Sequence, residues 1–179
     1  MVHKTETNKM GNIIVQDNRA IIEFERHLKH RRERVWKAIT DQEELSRWYL
    51  CKVRISGGQG GRIDLWFANT HVYGEIKKWE PPEILEHEWN IDRRDGLPNG
   101  ERAILRWELS EEGDGTLVRL IHLNLTKTTA LGFTEGLEPA TSDHILLDRL
   151  QAFLNSGSLN IGSEQIYSIR EAYRKLGRS

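Results

Sequence analysis

Apolar residues change their spacing several times along the chain, and each change marks a different kind of element. Ile22, Phe24 and Leu28 alternate with Ile21, Glu23, Glu25 and His27, the period-two pattern of a half-buried strand. Gly11–Gln16 is β-rich as well, and the intervening Asp17-Asn18-Arg19 carries the Asp-Asn pair of a tight turn. Arg26 falls on the apolar side of the second strand, where a charge is out of place.

Val35, Trp36 and Ile39 then group on one side of Arg31–Thr40, which predicts a short helix. Thr40/Glu43 and Asp41/Glu44 each have the spacing that satisfies free N–H groups at a helix start, so a second helix is predicted from Asp41, burying Leu45 and Trp48. Gly57–Gly61 breaks the chain.

From there the period is two, over Arg62–Ala68, Val72–Trp79, Ile84–Ile91, Ala103–Leu109 and Leu117–Leu125. The predicted turns are Asn69-Thr70, Pro81-Pro82, Gly96–Gly100 and Gly113–Gly115. Short turns without helical crossovers require an antiparallel sheet. One face collects Ile63, Leu65, Phe67, Leu85, His87, Trp89, Leu105, Trp107, Leu109, Val118, Leu120 and His122. The other collects Asp64, Glu86, Glu88, Arg106, Glu108 and Arg119, with Trp66 predicted to pack outside.

The helical period returns near Thr141, where Leu147, Leu150, Phe153 and Leu154 form a stripe ending at Asn155-Ser156-Gly157. Ser163–Leu176 reads as a further amphipathic helix with Ile166, Ile169, Tyr173 and Leu176 on one side. Residues 1–10 read as a mobile tail, 11–157 as one α+β domain and 158–179 as an appended helix, expected to dock on its own domain rather than on a partner subunit. A curved sheet of six or seven strands around one long helix would leave an internal cavity.

Composition narrows the function classes. With 26 basic and 27 acidic side chains the formal charge is −1, so no long-range field recruits nucleic acid or an anionic membrane. The single cysteine, Cys51, fits a reducing compartment, and no apolar run approaches a membrane span; a cytoplasmic protein is expected. No zinc-type or metalloprotease spacing occurs, and Gly57–Gly61 lacks the Lys-Ser/Thr of a phosphate loop, so neither metal nor cofactor is expected.

The ordered set Phe24-Glu25-Arg26, Val35–Asp41, Arg47-Trp48, Gly60-Gly61, Gly74-Glu75-Ile76, Pro81-Pro82 with Leu85 and Trp89, Gly115-Thr116, His122 and Leu147–Leu150 resembles the SRPBCC (START-like) superfamily. Its nearest branch looks like the one named after the activator of the heat-shock protein 90 ATPase. The resemblance covers about Gly11–Asn155 and implies the helix-grip, birch-pollen-allergen-like fold, with two short helices after the first strand. Two departures stand out. The proline usual before the first helix is replaced by His30-Arg31, and the Gly-Trp pair opening the family's last helix appears as Ser142-Asp143, which removes an aromatic from the cavity mouth.

Members of that superfamily mostly bind apolar ligands, and a minority are cyclases or aromatase-like enzymes. The candidate cavity residues are Arg26, Trp48, Leu65, Phe67, His87, Trp89, Leu105, Trp107, Leu120, His122, Leu147 and Leu150: an apolar wall with a few convergent polar groups. Each of the three polar ones has a bland alternative as a satisfied core residue. No carboxylate is evident on the inward face to orient the histidines, which argues for binding over catalysis. The first expectation is therefore a non-enzymatic binder of an apolar or amphipathic small molecule, monomeric or homodimeric. A chaperone-cofactor-like interaction module using the outer surface is the second, and a cyclase or hydrolase using His87 or His122 the third.

Overall fold

The computed structural model describes residues 9–68, 70–93, 102–126, 130 and 139–176. The expected Asn69 and Gly96–Gly100 turn positions and most of the N-terminal tail lie outside them. Nine described strands form one sheet: β1 Asn12–Gln16, β2 Arg19–Leu28, β3 Lys52–Ser56, β4 Arg62–Phe67, β5 Thr70–Glu80, β6 Ile84–Glu88, β7 Asn90–Arg93, β8 Ile104–Glu112 and β9 Gly115–Thr126. Their order is β1-β2-β9-β8-β6-β5-β4-β3, with β7 pairing β5 beside this path. Every pairing is antiparallel. Helices α1 Arg32–Thr40 and α2 Gln42–Tyr49 follow β2, and α3 Pro139–Leu154 and α4 Ser163–Leu176 follow the sheet.

The sheet has more strands than expected for two local reasons. Lys52–Ser56 is short and charged at alternate positions, yet pairs along its whole length with Arg62–Trp66. The single run expected over Ile84–Ile91 splits at Trp89: Ile84–Glu88 pairs β8, while Asn90–Arg93 turns back onto the start of β5. Strand β5 serves both partners, and its pairing with β6 contains a bulge between Ile76 and Lys78. Gly74 sits in this bend, where an added Cβ would collide with the Glu88 backbone.

Of the two expected helix caps, Asp41 forms its cap, accepting a 3.0 Å bond from the Glu44 N–H. The Thr40 hydroxyl instead donates back to the Trp36 carbonyl at 2.7 Å. Gly58 and Gly60 take positive φ (98° and 81°) in the glycine-rich turn before β4, conformations that a Cβ disfavours.

The core lies between the concave sheet face and α3. It is built from Phe24, Leu65, Leu85, Leu105, Trp107 and Leu120 of the sheet together with Leu147, Leu150 and the α1–α2 residues Val35, Leu45 and Trp48. Outside, Arg106 bridges Glu86 at 2.9 Å and Glu108 at 2.6 Å, and Arg119 reaches Glu108 at 2.7 Å, so the polar face carries a charge ladder. Trp66 lies on this side, stacked on His71 with ring centroids 5.0 Å apart. Asp64, on this same outer face as expected, is nonetheless buried and held by Arg62 and His71.

Helix α4 docks on its own domain. Tyr173 is buried, accepts from the Gly11 N–H at 2.8 Å, and contacts Phe24 edge-on. Leu176, expected on the same buried side, is exposed.

Candidate functional site

Helical geometry explains why acidic groups reach the interior. Asp143, Leu147, Leu150 and Leu154 follow one another at three- and four-residue steps, so one stripe of α3 turns all four inward. On β9, His122 alternates with Leu120 and Val118 on the concave face. The two elements bring His122 Nδ1 to 2.9 Å from Asp143 Oδ2, with the residues 2 % and 1 % exposed. This corrects the expectation that no inward carboxylate orients a histidine. The residue that replaces the family's usual aromatic is the one that does so.

A carboxylate accepts, so the Nδ1–H of His122 donates to Asp143; in the neutral ring Nε2 is then the lone pair. Nε2 is buried and has no hydrogen-bond partner among the described residues. Trp89 stands edge-on to His122, with ring centroids 6.0 Å apart, and also lies 5.9 Å from His87. His87 donates from Nδ1 to the Glu88 carbonyl at 2.9 Å. Burial pushes its imidazole down to about 4, and neighbouring His122 pushes the same way, against the Glu88 bond. His87 is therefore neutral near pH 7. Tyr49, at the end of α2, is pushed well above the usual phenol range by burial, with Cys51 and Asp143 adding to the effect.

Arg26 belongs to a second constellation. Its Nη1 donates to Asp148 Oδ1 at 2.7 Å and to Gln151 Oε1 at 3.2 Å, while Nε and Nη2 are buried without a partner among the described residues. Asp148 also lies 3.5 Å from His144 Nε2, and the Tyr173 hydroxyl donates to His144 Nδ1 at 2.9 Å. Burial raises the Asp148 carboxyl, but the bonds from His144 and Arg26 outweigh it and hold the group below its ordinary value. The network ties β2, α3, α4 and the N-terminal segment together. Sequence reasoning missed Asp148 and His144 as Arg26's surroundings, although their four-residue spacing on one helix was a usable signal.

The remaining candidates divide by burial. Trp48, Leu65, Leu105, Trp107, Leu120, Leu147 and Leu150 are all fully buried between sheet and helix. Trp48 also donates to the Ala38 carbonyl at 2.8 Å, which fixes α2 on α1. Phe67 and Trp89 are only half-buried, Phe67 packing beside Tyr49 and Trp89 beside His87 and His122. An open, charged cleft of about 440 Å³ at Arg31–Glu33 and the β8–β9 turn lies toward the opposite end of β9. Among the described residues no group of three or more metal-ligating side chains converges, and no helix is long and apolar enough to cross a membrane.

A sheet curved over a long helix, with two small helices closing one side, defines a helix-grip protein of the SRPBCC superfamily. The chain belongs to the family described as "Activator of Hsp90 ATPase homolog 1-like protein", whose model matches residues 29–154. Among solved structures it is similar to CalU16 from Micromonospora echinospora, at 24 % identity and TM-score 0.70 over 95 % of this chain and 96 % of that one. EF2215 from Enterococcus faecalis, a conserved protein of unknown function, matches at 16 % identity and TM-score 0.70, covering 94 % and 91 %. DynU16, a protein of the dynemicin biosynthetic locus, matches at 17 % identity and TM-score 0.60, covering 79 % of this chain and 48 % of that one. These likenesses carry the fold. No curated protein matches the chain in sequence.

Proposed function

We propose that the protein binds an apolar or amphipathic small molecule between its sheet and α3. One observation carries this reading: the buried, unpartnered Nε2 of His122, set beside half-buried Trp89 and the buried leucines of the sheet. A buried acceptor without a partner costs about 1–3 kcal/mol, a cost that a ligand or an ordered water would relieve. That a biosynthetic-locus protein, DynU16, has this fold supports a small-molecule role. Mass spectrometry under non-denaturing conditions, after incubation with aromatic alcohols, fatty acids and terpenoid alcohols, tests it. One ligand per chain is expected from at least one class, and the bare mass throughout would contradict the reading.

Proton-transfer catalysis is the second reading, favoured by the Asp143–His122 pair, in which a carboxylate orients an imidazole whose other nitrogen is bare. A bound compound recovered unchanged after prolonged incubation supports binding alone. A mass change in the compound that is lost in His122→Phe supports catalysis.

A further inference from the structure

Two of the three buried histidines bond a fixed acceptor through Nδ1. His122 gives its Nδ1–H to the Asp143 carboxylate and His87 gives its own to the Glu88 carbonyl, an arrangement in which the neutral ring presents Nε2 as its lone pair. We propose that the interior selects ligands bearing a hydrogen-bond donor, a phenolic or alcoholic hydroxyl on an apolar body, with His122 Nε2 as the acceptor. This rests on the small-molecule reading above and names its ligand class.

Three observations shape the selection. His122 Nε2 is buried without a partner among the described residues, so a donor arriving there displaces no internal bond. The Asp143 carboxylate bonded to the same ring adds a negative charge beside it, which disfavours a carboxylate or phosphate head group. Trp89 stands edge-on to His122, Leu105 faces it across β8 and Leu120 precedes it on the same face of β9, apolar groups that match a ring or a branched hydrocarbon rather than a second polar group. An ether of the same shape fits the walls but brings no donor, and leaves the acceptor as unsatisfied as before.

Histidine-labelled full-length protein provides the first test. Long-range ¹H–¹⁵N spectra are expected to show the Nδ1–H tautomer, with a bare Nε2, at both imidazoles. A His122 protonated on Nε2 overturns the proposal. The same spectra then follow titrations with naphthol, naphthyl methyl ether and naphthoate. Naphthol is expected to bind about tenfold more tightly than the ether, the value of one good hydrogen bond, with naphthoate weakest. In His122→Phe the preference for naphthol over the ether is expected to vanish, and the wild-type series decides the matter even if that variant fails to fold. Equal affinity for naphthol and the ether overturns donor selection and leaves the interior site standing. No binding of any of the three overturns both.

Discussion

His87 shows how much one buried side chain can weigh. In the unfolded chain its imidazole gains a proton below about 6.5, whereas burial delays that step in the fold to about 4. Between those values the unfolded state holds more protons, so folding stability falls as pH drops through the window and is complete above it. A shift of that size corresponds to about 3 kcal/mol. Urea unfolding of the wild type is expected to weaken between pH 6.5 and 4, and His87→Phe is expected to flatten that stretch. Asp148, held below its ordinary 3.8, acts only at lower pH and does not overlap. Identical pH profiles for wild type and variant would contradict the assignment. At this scale the sequence was partly legible. His87, His122 and Arg26 were identifiable as polar residues on an apolar face, because strand alternation makes such exceptions visible. Asp143 was not identified, since the departure at Ser142-Asp143 read as a lost aromatic rather than as a carboxylate one turn before Leu147.

Helix α4 is the element whose place the sequence left most open, because an amphipathic stripe says that a face is buried but not where. The structure gives the stripe one anchor, Tyr173, whose hydroxyl accepts from Gly11 and donates to His144. Tyr173→Phe leaves both partners buried and unsatisfied, so a loss of about 1–3 kcal/mol is expected in thermal or urea unfolding. A chain ending at Asn160 loses the anchor entirely and is expected to be less stable than the point variant. A truncated chain as stable as the full one would contradict the docking. Leu176 and Tyr167, both exposed, lie outside that anchor. Strand β3 was missed for a related reason: two paired hydrophobes, Val53 and Ile55, are too few to show a period until β4 lies beside them.

Across the whole molecule, the grip of a curved sheet on α3 was legible because long alternating runs and one long apolar helix admit few other arrangements. The outer and inner faces carry competing claims to function. Outside, Trp66 and Tyr73 flank His71 in a ladder of aromatic and charged groups. Inside, His122, whose Nε2 has no partner among the described residues, lies among Trp89, Leu105 and Leu120. Intermolecular nuclear Overhauser effects between bound naphthol and the methyl-labelled protein separate the two directly. The account predicts contacts to the Leu105, Leu120 and Leu147 methyl groups and to the Trp89 ring. Contacts confined to Trp66 and Tyr73, or none to the interior methyl groups, would contradict it.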